Sequence, residues 1–136
     1  MVTYTPIVAA CPIKASLSNL IEFRWINDGV IADFLIPGDD HHALRIQFSR
    51  VEIVRILDEM PLSTEAETTP KSGLVKDHFA YQVEGSHFWQ SQSEAFRIVH
   101  KTARHFRFVT GWTCIDVISS VTPKFEVVEY SGGNRG

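Results

Sequence analysis

Four consecutive polar residues, Asp39-Asp40-His41-His42, are the most conspicuous set of metal-ligand types in the chain. Carboxylates and imidazoles suit divalent ions, so a metal-dependent hydrolase built on the 39–42 loop is one reading. Adjacent residues on an extended loop point in different directions, however, and no His or Glu at ligand spacing completes the set. His78, His87, His100 and His105 could join them only through tertiary contacts. A solvated loop is the expectation, and no metal or cofactor is assigned.

Nucleophilic catalysis needs a Ser or Cys presented on a turn, beside a positioned base. The chain contains no G-x-S-x-G. Cys114 lies between Thr113 and Ile115 in an apolar run, the setting of an inert structural thiol. Ser91 and Ser93 are accounted for by helix capping. The one adjacent glycine pair, Gly132-Gly133, is close to the end of the sequence given with no helix after it, so neither phosphate-binding glycine motif can be built. No catalytic residue is assigned.

Segment 97–107 gathers Arg97, His100, Lys101, Arg104, His105 and Arg107, with Phe96, Phe106, Phe108 and Trp112 interleaved or close by. Cations for phosphates and rings for base stacking are what a single-stranded RNA or DNA surface requires. Lys101, Arg104 and Arg107 would carry that activity. Against it, the net charge of -3 supplies no general attraction to nucleic acid, and the phenylalanines are also core candidates. Phe88-Trp89 precedes a helix in a polar setting. The pair could be an exposed protein-contact patch or a staple that fixes the helix start. Trp25 and Trp112 are expected in the core.

These residues are carried by a chain with the composition of an ordinary globular domain. Its 44% hydrophobic and 21% charged residues exclude disorder for most of its length. At 136 residues, one domain over 1–130 is expected to bury enough surface to fold without metal or disulfide. Two cysteines, Cys11 and Cys114, are too few for a disulfide scaffold and read as free thiols. Val8-Ala9-Ala10-Cys11 looks like the run before a lipidated cysteine, but no Lys or Arg precedes it and its apolar stretch is too short. No run reaches the length of a membrane span. A cytoplasmic protein without membrane contact is expected.

Hydrophobic periodicity places the elements. Residues 20–26 and 30–36, joined by Asn27-Asp28-Gly29, predict a β-hairpin, because Asn and Gly tolerate positive φ. Leu44, Ile46 and Phe48 alternate with polar neighbours and predict a strand. Segment 49–60 fits either a strand or an amphipathic helix. Four β-branched residues within six positions favour the strand, and Asp58 and Glu59 would sit badly in a last helical turn. Segment 61–72 has no apolar period and reads as a loop, either a tolerated insertion or a partner-binding excursion. Further strands are expected at 78–83, 106–109, 114–118 and 124–130. One helix is expected over about 92–103, capped by Ser91, with Phe96, Val99 and Ala103 on its inner face. A disordered tail is expected at 131–136.

The sum is a mainly β domain, a small antiparallel barrel or strongly curved sheet of about seven to eight strands with one helix. If 49–60 were helical, the class would become α+β. Phe23-Arg24-Trp25, Leu44-Arg45-Ile46 and Phe106-Arg107-Phe108 each set an Arg between apolar neighbours, the pattern of one buried and one wet face. With no reactive set assembled, the expected function is a non-enzymatic binding or protein-interaction module. Single-stranded nucleic-acid binding and metal-dependent hydrolysis are the alternatives. Edge strands of an open sheet make strand-pairing with a protein partner or a second copy plausible.

Overall fold

The computed structural model describes residues 1–65 and 67–130. The tail expected to be disordered, 131–136, lies outside the described residues. The chain is mainly β, and its strands form two sheets, neither closed into a barrel. In chain order they are β1 (Val2–Pro6), β2 (Leu20–Ile26), β3 (Gly29–Leu35), β4 (His42–Phe48), β5 (Ile53–Asp58), β6 (Lys71–Ser72), β7 (Ala80–Glu84), β8 (Arg104–Phe108), β9 (Thr113–Ser119) and β10 (Lys124–Glu129). Helices α1 (Glu59–Thr64), α2 (His87–Gln90) and α3 (Glu94–Val99) are all short. One sheet runs β5-β9-β8-β7-β1-β6 and the other β10-β4-β3-β2. Each sheet ends in open edges, so the expected barrel is not shown, whereas a curved sheet is compatible with the arrangement.

Period-two alternation builds the layer between them. From the four-stranded sheet come Val30, Ala32 and Phe34 of β3 with Leu44, Ile46 and Phe48 of β4. From the six-stranded sheet come Ala80, Phe106, Phe108, Ile115 and Val117. Rings interlock across the layer, with Phe48 and Phe106 centroids 5.4 Å apart and Phe34 and Phe79 edge to face at 4.8 Å. The expected hairpin forms as β2 and β3, and Asn27 takes the positive φ of 51° that its turn requires.

Several local expectations change. Segment 49–60 is a strand only from Ile53 to Asp58. Asp58 then caps α1, its carboxylate accepting from the Met60 N–H at 3.2 Å. Pro61 fits the first turn of α1, where a backbone N–H lacks a helical acceptor. The stretch expected as a loop, 61–72, therefore contains most of a helix, and β6 at its end pairs in parallel with β1. The strand β1 was not expected; Val2 and Tyr4 are buried at period two.

The helix expected over 92–103 is only the short α3, Glu94–Val99, and a separate helix, α2, precedes it at His87–Gln90. Ser91 Oγ and Gln92 Nε2 both donate to the Phe88 carbonyl and close α2. Ser93 then restarts the chain as the cap of α3, accepting from the Phe96 N–H. Val99 is exposed, and Ala103 is buried just before β8 rather than on a helix face. Trp25 and Trp112, expected in the core, are more than half exposed at 52% and 56%. Trp25 instead braces its hairpin, the indole N–H donating to the Asn27 carbonyl at 2.7 Å. Among the described residues, no helix is long and apolar enough to cross a membrane.

Candidate functional site

The face of the six-stranded sheet turned away from the sandwich layer carries a row of polar side chains. Register places Arg55 of β5 opposite Asp116 of β9, Asp116 opposite Arg107 of β8, and Arg107 opposite Tyr81 of β7. All four lie on the outer face because their neighbours along the strands, Val54, Ala80, Phe106, Phe108, Ile115 and Val117, fill or pack against the inner layer. A wet face was expected here. Instead α1 and α2 cover it, and Leu62 and Phe88 are buried beneath them.

Asp116 is the hub. Its side chain is fully buried, yet it accepts from four donors: Arg55 Nε at 3.1 Å and Nη2 at 2.7 Å, Arg107 Nε at 2.7 Å, and His105 Nε2 at 2.6 Å. Burial alone would raise its pKa. The His105 hydrogen bond, with the Arg107 charge and hydrogen bond, outweighs it and holds the carboxyl well below the usual range. Arg55 spans outward to Glu65, just past α1, in a bidentate pair at 2.7 and 3.0 Å. That bond is the main cause of a lowered Glu65 pKa. The Arg55 guanidinium also stacks 4.3 Å from the Phe88 ring centroid.

His105 joins Asp116 to Ser86. Its Nδ1 lies 2.7 Å from Ser86 Oγ, and Ser86 Oγ caps α2 by accepting from the Trp89 N–H. Burial pushes the imidazole pKa down by more than Asp116 raises it, so the ring is neutral. A neutral ring that donates from Nε2 to the carboxylate accepts at Nδ1, and the Ser86 hydroxyl is then its donor. Ser, His and Asp thus stand in hydrogen-bond order, but Ser86 is only 1% exposed and its oxygen already serves two bonds. The arrangement ties α2 to β8 and β9; it does not present a nucleophile.

Beside this network, between α1, β6 and the sheet, lies a cleft of about 320 Å³. Tyr4 and Arg107 line it from the sheet, Leu62 and Glu65 from α1 and its end, and Leu74 and Val109 add apolar surface. Arg107 donates from Nη1 to the Tyr4 hydroxyl at 2.8 Å. Its Nη2 is enclosed, makes no hydrogen bond, and forms an ion pair with the Glu65 carboxylate at 3.7 Å.

The trio read from sequence as a nucleic-acid surface is divided. Lys101 and Arg104 are exposed and line a different cleft, whereas Arg107 is buried in the ion network. Strand alternation turns Arg104 toward the inner-layer side of β8, where its guanidinium sits 5.8 Å from the Phe106 ring, and Arg107 toward the outer side. Phe88 is no exposed contact residue either. It packs against Ala103 and Ile118 and anchors α2, while Trp89 is half-buried against Phe96. In the 39–42 loop, Asp39 accepts from the His41 and His42 backbone N–H groups at 2.9 and 3.0 Å and contacts His42 Nδ1, a turn that leads into β4. Among the described residues no three His, Cys, Asp or Glu side chains are grouped to hold an ion. Both thiols are free; burial raises the pKa of Cys114, which is fully enclosed.

Sequence reasoning missed Asp116, Arg55, Glu65, Ser86 and the role of His105. The signal present was a charge pattern: Asp116 interrupts the apolar run Cys114 to Ile118, and a carboxylate there demands a buried cation. No protein-family model matches the chain, and comparison with curated proteins and with solved structures returned no match either.

Proposed function

We propose that this domain is a non-enzymatic binding module whose ligand site is the cleft between α1, β6 and the outer face of the six-stranded sheet. One observation carries the reading: a cleft of about 320 Å³ brings the polar groups of Tyr4, Arg107 and Lys71 together with apolar walls beside a buried ion network. A concave, largely apolar surface with a few convergent polar groups is what a small-ligand site needs. The apolar walls from Leu62, Leu74 and Val109 add non-directional affinity. The ion network beneath supports the same reading as a rigid base, because Asp116 and Tyr4 fix Arg107 through Nε and Nη1.

Amide spectra of the ¹⁵N-labelled chain, recorded with mixtures of small polar fragments, test this. Shifts confined to the amides of Leu62, Ser63, Leu74 and Val109 are expected. Spectra unmoved by every fragment, or moved only around Lys101 and Arg104, would refute it.

A further inference from the structure

We infer that two copies of this chain associate through the open edge of β2, antiparallel and centred on Phe23, so that their four-stranded sheets join edge to edge. This surface is separate from the cleft, since β2 is the end strand of the other sheet. Ile26 and Gly29 flank the two-residue turn of the hairpin, the place of a hydrogen-bonded pair. Alternation from there commits the backbone of Arg24 to β3 and turns the N–H and C=O groups of Phe23 and Trp25 toward the open edge. Segment 20–26 holds no Pro or Lys, the usual guards of such an edge. The end nearest the turn is also apolar and uncovered, with Trp25 52% and Ile26 46% exposed.

The strand is complementary to itself about one residue, and that names the partner as a second copy. With Phe23 opposite the partner's Phe23, Glu22 faces Arg24 twice and Ile21 meets Trp25 twice. Glu22 and Arg24 project on the outer face, and within one chain they already form an exposed ion pair at 3.6 Å. Pairing the two strands closes these four groups into a square of alternating charge. The contact is isologous, so it is complete with two copies. A bulge between Leu20 and Glu22 bends the strand and bounds the pairable stretch. The other edges lack this match. β6 has only two residues. Arg55 and Asp58 of β5 lie at an odd separation, so no antiparallel pairing of that strand with itself sets them opposite on one face. On β10 a centre at Phe125 would oppose Lys124 and Glu126, but the next pair would begin at Pro123, outside the strand.

Sedimentation velocity of the full chain over a concentration series tests the inference. An equilibrium between monomer and dimer is expected. Arg24→Glu or Glu22→Arg alone sets like charges opposite each other twice and should weaken association about tenfold or more. Both side chains are exposed, so each variant should keep the native far-UV spectrum. An equal mixture of the two single variants should dimerise as tightly as the native chain, because Glu meets Arg at every contact of the mixed pair. The double reversal, Glu22→Arg with Arg24→Glu, should dimerise as well. Lys124→Glu, at the opposite edge of the sheet, should leave association unchanged. A native chain that stays monomeric up to about 1 mM would overturn the inference. A dimer indifferent to both single reversals, or one abolished by Lys124→Glu, would place the contact elsewhere and overturn it too. Single variants that stay monomeric when mixed would overturn the register centred on Phe23, and the inference with it.

Discussion

Replacing Asp116 by Asn keeps the side chain's shape and removes its charge, so the variant isolates the electrostatic role of the hub. In the native protein the fully buried carboxylate accepts from Arg55, Arg107 and His105, all within 3.1 Å. Arg55 retains Glu65 in the variant. Arg107 loses its close partner: its side chain is 8% exposed, its remaining hydrogen bond is to Tyr4, and only the longer 3.7 Å ion pair to Glu65 is left. Breaking a buried ion pair from one side costs about 3–5 kcal/mol, because the surviving charge stays desolvated. No cavity adds to this, since Asn fills the same volume. An exposed pair would cost at most about 1 kcal/mol, so the two cases are well separated.

For a domain of this size a loss of about 3–5 kcal/mol lowers Tm by roughly 10–20 °C, which leaves the variant folded at room temperature. Urea denaturation at pH 7, followed by tryptophan fluorescence, measures it; the slope against urea should be unchanged. The pH dependence supplies a second signature. Asp116 has its pKa lowered in the folded state, so its stabilisation is complete above the unfolded value of about 3.9 and is lost as pH falls below it. The gap between native protein and variant should therefore narrow between about pH 5 and pH 3. A gap under about 1 kcal/mol at pH 7, or one independent of pH, would refute the hub.

Arg104→Ala and Arg107→Ala, three positions apart in one strand, should differ sharply: the first within about 0.5 kcal/mol of native, the second destabilised by about 3 kcal/mol or more, both read by urea midpoints. His105, neutral through burial, predicts a separate pH effect. The unfolded chain takes up a proton near pH 6.5 that the folded imidazole refuses, so stability declines as pH falls from about 7 to 5; His105→Gln should remove that decline in the same denaturation series. Gly73 holds a φ of +86°, and a Cβ there would stand 1.8 Å from the Tyr4 carbonyl oxygen. Gly73→Ala should cost about 1–3 kcal/mol and speed amide exchange in β1 and β6 beyond that in β8. Phe106→Ala, which removes the ring packed on Phe48, should lose about 3–5 kcal/mol by thermal melting.

Alternation alone determined which side of each strand meets the core. Leu44, Ile46 and Phe48, and Phe106 and Phe108, point inward as their spacing requires, because a period-two backbone leaves no other choice once one face is apolar. The hairpin at Asn27 was legible for the same local reason, a residue that accepts positive φ between two apolar runs. Distance in sequence hid the rest. Two sheets rather than a barrel follow from which strands pair, and those pairs join residues as remote as Thr3 and Glu84. Arg107 carries the same Phe-Arg-Phe pattern that a solvent-facing arginine would. Only the tertiary placement of α1 and α2 over that face buries it, and only then do Asp116, Arg55 and His105 become its necessary company. Charge is tolerated at zero exposure when every partner arrives together, and those partners come from different strands. The candidate site is therefore a product of sheet order, which no local pattern encodes.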